Sequence, residues 1–160
     1  MHQPAVVVVD AWPQPHSVSE VLTFASESEL VVRYVVAGGK RAALIHFPLV
    51  SSFRFGSPND EALGGHPLAK FGLKLYGVHR IENSPWIAEL EQQNSVHPGH
   101  NKVSFLEGKA HYIFTFQDSV LECVFKEGQW WTPRVRTFDD ALVARQVWRH
   151  EAGPLASCSS

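Results

Sequence analysis

Cysteine is scarce, with two in 160 residues, Cys123 and Cys158. A small secreted scaffold held by disulfides needs a denser framework. A bond between these two would tie a predicted strand to a Ser-rich tail, so both read as free thiols in a reducing, cytoplasmic setting. Charge is balanced as well as sparse: 14 Lys and Arg stand against 16 Asp and Glu, for a formal net charge of −2 without any basic run. Nucleic acid therefore has no electrostatic footprint to bind. No apolar stretch reaches membrane-spanning length, and the first residues are not laid out as a signal peptide, so no membrane partner is expected. Motifs with fixed chemistry are missing too. The chain has no GxSxG elbow, no HExxH and no ordered Cys/His ladder. Gly64-Gly65 runs into His66-Pro67 rather than into a phosphate-binding helix.

Hydrophobic residues make up 44% and charged residues 19% of the chain, the balance of a globular protein. The length suits a single domain, expected over 1–153, with 154–160 as a disordered tail. Nine histidines and five tryptophans favour a metal or proton-transfer site and a ligand surface respectively.

Alternation organises the chain around Ala110–Lys126. Tyr112, Phe114 and Phe116 share one strand face, because successive side chains point to opposite sides. A turn at Asp118-Ser119 sets Phe116 against Leu121, Phe114 against Cys123 and Tyr112 against Phe125, giving one apolar face from two strands. A four-residue loop is expected to preserve those pairs. In this register His111 faces Lys126 and Glu122 faces Thr115. His111 and Glu122 then stand on the order of 13 Å apart along the ladder at ~3.3 Å per residue, too far for a direct acid/base pair. The second face, with His111, Ile113, Thr115, Gln117, Val120, Glu122, Val124 and Lys126, is half polar and meets water or lines a cavity.

A second hairpin spans Leu30–Phe47, turning at Gly38-Gly39, where both residues accept positive φ. Tyr34 then pairs with Ala43, Val32 with Ile45 and Val31 with His46. Leu30, Val32, Tyr34, Val36, Ala43, Ile45 and Phe47 form one face. Arg33 and His46 lie on the other, either snorkelling at a margin or lining a pocket. The β-branched run Ala5–Val9 suits a strand buried on both sides. Further strands are expected at Val18–Ala25, Leu49–Phe55, Leu73–Ile81 and Gln129–Arg136. Ser84-Pro85 marks a helix start, with Ser as N-cap and Pro in the first turn. The whole is an α+β, mainly β fold. It is an antiparallel meander of about nine strands in a barrel- or sandwich-like sheet, with two helices at about 85–93 and 139–150.

Several groups are candidates for function. The long connection 56–72 is the expected site-bearing loop, with Asn59, Asp60, Glu61 and His66 close together; the bland alternative is a solvated acidic excursion. His66 or His111 would serve as general base, oriented by Asp60, Glu61 or Glu122, although a lone strand histidine is commonly just half-buried. His97-Pro98-Gly99-His100 is a type II turn that brings two imidazoles near one point, so a divalent metal is admissible there. Two histidines around Pro-Gly also arise by chance. Trp130 and Trp131 are adjacent, so on a strand one enters the core and its neighbour faces solvent, a ligand or a partner.

Two functions follow. The first is a cytosolic module that binds a small molecule or protein, with Arg33, His46, Asn59, Asp60, Glu61, Trp130 and Trp131 as contact residues and no cofactor needed. The second is a small histidine-dependent, metal-assisted or metal-free enzyme of hydrolase, lyase or isomerase type, using His66, His111 and Glu122. An exposed edge strand leaves room for a homodimer.

Overall fold

The structure, a computed structural model, describes residues 2–18, 20–139, 144, 146, 147 and 150. In chain order the strands are β1 (Ala5–Val8), β2 (Leu22–Ala25), β3 (Glu29–Val35), β4 (Ala42–Pro48), β5 (Val50–Gly56), β6 (Val78–Glu82), β7 (Lys109–Thr115), β8 (Val120–Lys126) and β9 (Arg134–Phe138). Helices α1 (Pro85–Asn94) and α2 (Lys102–Leu106) bridge β6 and β7, and two 3-10 turns, Leu63–Gly65 and Ala69–Phe71, lie between β5 and β6. Every ladder is antiparallel. One sheet runs β1-β6-β7-β8-β5 and the other β2-β3-β4-β9.

The inner faces of the two sheets share one core, in a sandwich-like packing rather than a closed barrel. Leu30, Val32, Tyr34, Ala43, Ile45 and Phe47 come from the four-stranded sheet; Val78, Tyr112, Phe114, Leu121, Cys123 and Phe125 come from the other. Phe47 meets the Phe114 ring at 6.0 Å and the Phe125 ring at 5.6 Å, both edge-on, the arrangement the ring quadrupoles favour. Both alternating faces expected of the two hairpins are therefore the core faces. A smaller apolar cluster of Leu63, Leu68, Leu73, Ile81, Ile113 and Val120 fastens the 56–72 connection onto the outer side of the five-stranded sheet.

The Gly38-Gly39 hairpin has the expected pairs, Tyr34 with Ala43, Val32 with Ile45 and Val31 with His46. The β7–β8 register differs. His111 pairs with Val124, Ile113 with Glu122 and Thr115 with Val120. The loop holds four residues, 116–119, closed by the Phe116 N–H on the Ser119 carbonyl at 2.9 Å; it is centred between Gln117 and Asp118 and not at Asp118-Ser119, and this displacement moves every pair by two. A shift of two keeps each side chain on its face, so the core was unaffected, but it brings His111 and Glu122 onto adjacent diagonal positions.

Four further expectations are corrected. β1 is an edge strand, alternately exposed and half-buried, because a valine run alone does not reveal whether a second neighbour covers it. Leu73–Gly77 precedes β6 and is not strand. Between Ser95 and Lys109, read as irregular, Asn101 caps the short helix α2 by accepting from the Ser104 N–H. Trp130 and Trp131 occupy a tight turn between Gly128 and Trp131 and are both exposed, at 82% and 46%, so neither enters the core. Helix α1 starts as read, with Ser84 Oγ accepting from the Ile87 N–H. The helix expected over 139–150 lies outside the described residues, apart from Asp139, Ala144, Gln146, Val147 and His150.

Candidate functional site

A cleft of about 750 Å³ opens on the outer face of the five-stranded sheet. One wall is the 56–72 connection, through Ser57, Pro58, Ala62, Gly65, Pro67 and Leu68; the other is the start of α1, through Pro85, Trp86 and Glu89. The floor is sheet: Arg54 from β5, His111 from β7, and Val120 and Glu122 from β8. The half-polar face of the β7–β8 hairpin thus lines a cavity.

At the centre of the floor, one carboxylate lies between two imidazoles. His111 Nε2 is 3.0 Å from Glu122 Oε2, and His66 Nε2 is 3.4 Å from Glu122 Oε1. The remaining ring nitrogens define the direction of each bond. The Leu68 N–H donates to His66 Nδ1 at 3.2 Å, so in the neutral ring the proton sits on Nε2 and points at Glu122. Ser84 Oγ lies 2.8 Å from His111 Nδ1 and already accepts from the Ile87 N–H. Its own hydrogen is therefore free to donate to Nδ1, which leaves His111 Nε2–H donating to Glu122. These tautomers follow from the hydrogen-bond network. Trp86 braces His111 edge-on at 5.2 Å.

Glu122 is largely buried, with 13% of its side chain accessible. Burial works to raise its pKa, but the hydrogen bonds from His111 and His66 outweigh it and hold the carboxyl at about 2. The group is a stable anion at neutral pH. Arg54 stands directly opposite Glu122 on the neighbouring strand, yet its guanidinium lies 4.1 Å over the Trp86 ring and 3.5 Å from Glu89. Among the described residues, the side-chain partners of the Glu122 carboxylate are the two imidazoles.

The other sequence candidates fall elsewhere. Asn59 Oδ1 accepts from the Ala62 N–H, while Asp60 accepts from the Glu61 N–H and the Tyr76 hydroxyl. These residues shape the loop and do not line the cleft; Glu61 is exposed. Arg33 and His46 are buried in the other sheet, with 4% and 5% exposure, which replaces both the snorkelling and the pocket readings. Arg33 is 3.3 Å from Glu20. His46 sits between Glu29, at 3.5 Å, and Arg134, which donates to its Nδ1. His97 and His100 do not converge. His97 Nδ1 accepts from the Gly99 N–H of its own turn, whereas His100 bonds Asn94 and Glu91 and ties α1 to the segment ahead of α2.

Metal ligation by the floor also meets an obstacle in hydrogen-bond direction. A neutral imidazole coordinates through the nitrogen that lacks the proton, and the Leu68 N–H already fills that position on His66. Among the described residues, no group of three or more His, Cys, Asp or Glu is placed to hold a metal ion.

The sequence does not mark Arg54, Trp86 or Ser84 as parts of a site. Trp86 reads as one member of an apolar helix stripe, and Ser84 as a cap. The role of Arg54 depends on the pairing of β5 with β8, more than 60 residues apart in sequence, for which no local signal exists. No family model matches the chain, and no curated protein or solved structure is significantly similar to it.

Proposed function

We propose that this protein is a small-molecule-binding module, working in the cytoplasm, whose ligand site is the cleft above Glu122. The observation that carries the reading is an ionised carboxylate, fixed by two imidazole N–H donors, on the floor of a recess whose lining includes Pro58, Pro67, Leu68, Trp86 and Val120. A concave apolar site with one or two fixed polar groups is the usual form of a ligand pocket, and its volume lies in the usual range of roughly 300–1,000 Å³. Its polar floor is ordered before any ligand arrives, so little organisation is left for binding to impose. The buried, unpaired Cys123 agrees with a reducing compartment. No helix among the described residues is long and apolar enough to cross a membrane.

One observation favours the histidine-dependent enzyme. Ser84, His111 and Glu122 form a hydrogen-bonded chain in the order of a hydrolytic triad. The bond directions match that order, Ser84 donating to His111 and His111 to Glu122, but other features weigh against the reading. A general base presents a free lone pair to its substrate and has a pKa near the working pH. Both imidazoles here use both nitrogens internally, and a carboxylate with a pKa of about 2 is a weak base. Ser84 Oγ is engaged in capping α1 and is buried.

A fragment screen by ligand-observed NMR tests the binding reading, run in parallel on the wild type and on Gly65→Trp. Gly65 lines the cleft, and a Cβ there has nothing within 4 Å, so the indole fills open space. The reading predicts saturable binders that the variant loses. A screen without binders, or binders that Gly65→Trp retains at full affinity, would contradict it.

A further inference from the structure

The hydrogen-bond directions in the cleft also restrict what it can hold. Each Glu122 oxygen receives one imidazole N–H, and a carboxylate oxygen has a second lone pair. Those second lone pairs are the unfilled capacity of the floor. The histidines add no donor for a ligand, because both of their N–H groups are directed at Glu122. The carboxylates and guanidinium lining the cleft, Glu122, Glu89 and Arg54, set two negative groups against one positive. An anion entering here would meet two carboxylates and one guanidinium already committed to Glu89.

The wall supplies an independent indication. An organic cation already lies against it: the Arg54 guanidinium, 4.1 Å over Trp86 and 3.5 Å from Glu89. An aromatic face beside a carboxylate is a general cation-binding arrangement. Arg54 is tethered rather than buried, since 53% of its side chain is accessible, as is 54% of Glu89, so this cation can swing aside without opening the core. Val120, Pro67 and Leu68 line the same cleft.

From these features we infer that the cleft binds a small organic cation, a primary amine or amidinium on a compact apolar body, with the charged nitrogen hydrogen-bonded to Glu122 and the body against Leu68, Pro67 and Val120. The inference rests on the reading of the cleft as a ligand site.

The test uses matched probes on the full chain at pH 7 and low salt: benzylamine and benzamidine as cations, benzyl alcohol as the neutral analogue and phenylacetate as the anion. Titration by NMR or calorimetry should show both cations binding about tenfold or more tighter than the other two, the usual scale of a charge-assisted hydrogen bond. Glu122→Gln should remove the preference of the cations over benzyl alcohol. Because Glu122→Gln also disturbs the histidines, Arg54→Gln provides a second route. It frees Trp86 and removes a positive charge at an exposed position, and should tighten benzylamine several-fold. Equal or better binding of benzyl alcohol or phenylacetate, lost in Gly65→Trp, would overturn the cation assignment and leave the ligand site standing. Unchanged or weaker benzylamine binding in Arg54→Gln would overturn it as well. If none of the four probes binds the wild type, or if Gly65→Trp retains them all, the ligand-site reading falls together with it.

Discussion

His111 and Glu122 occupy diagonal positions on β7 and β8, and their side chains meet at 3.0 Å because the hairpin turns between Gln117 and Asp118. Glu122 is held ionised by that contact and by His66, and stability should carry the signature. The folded-state pKa of about 2 lies below the ordinary 4.5. The associated stabilisation is therefore complete above pH 4.5 and is lost as the pH falls from there toward 2. At ~1.4 kcal/mol per pKa unit it amounts to about 3 kcal/mol at most. Urea unfolding of wild type and Glu122→Gln across pH 2–7 should show a gap at pH 7 that closes toward pH 2. A gap that stays constant over this range would mean that Glu122 is not held in this way.

Gly108 fixes where β7 begins. It has φ +69°, and a Cβ there would lie 2.3 Å from the Glu127 carbonyl oxygen, whose residue donates its N–H back to the Gly108 carbonyl at 2.7 Å. Gly108→Ala combines left-handed strain with a backbone clash and should destabilise the fold by about 2 kcal/mol or more. Denaturant titration checks this. A change under about 0.5 kcal/mol would show that the two strand ends do not approach as described.

The two histidines of the Pro-Gly turn should separate on substitution. The His97 ring hydrogen-bonds within its own turn, so His97→Ala should leave the Tm within about 1 °C. His100 bonds Glu91 and Asn94, and His100→Ala should lower the Tm by about 2–4 °C. Neither should change binding in the cleft. A ligand affinity that falls in both variants would return the pair to the functional site.

Trp130 is 82% exposed and lies outside the cleft lining. Trp130→Ser should therefore alter stability by less than about 0.5 kcal/mol and leave probe affinity as in the wild type. Loss of affinity on this change would place the ligand surface at the Gly128–Trp131 turn instead.

Sequence specifies structure most closely where local rules are strict. Two glycines at 38–39 admit a two-residue turn, so the β3–β4 register was legible to the residue. Asp118-Ser119 enforces nothing comparable, and the β7–β8 register moved by two. Alternation still assigned each side chain to its face, because a shift of two preserves parity. What it misjudged was the offset along the ladder, and with it the His111–Glu122 contact. His66, His111 and Glu122 were recognisable as residue types on a half-polar face and a long loop. Their convergence on one cleft depended on how the 56–72 connection packs through Leu63 and Leu68 onto Ile113 and Val120, which is a tertiary event. Arg33 and His46 show the opposite limit. Polar residues on a strand can pair in the interior, and periodicity does not separate that from a pocket.

The account depends on a carboxylate that two imidazole N–H groups hold at a ligand site. Histidine side-chain NMR at pH 7, during a benzylamine titration, addresses both parts together. His66 and His111 should each show a protonated Nε2 and an unprotonated Nδ1, and their Nε2–H signals should shift together and saturate while those of His97 and His100 stay fixed. Protonation of either ring at Nδ1, or a titration that leaves the His66 and His111 signals in place, would contradict the account.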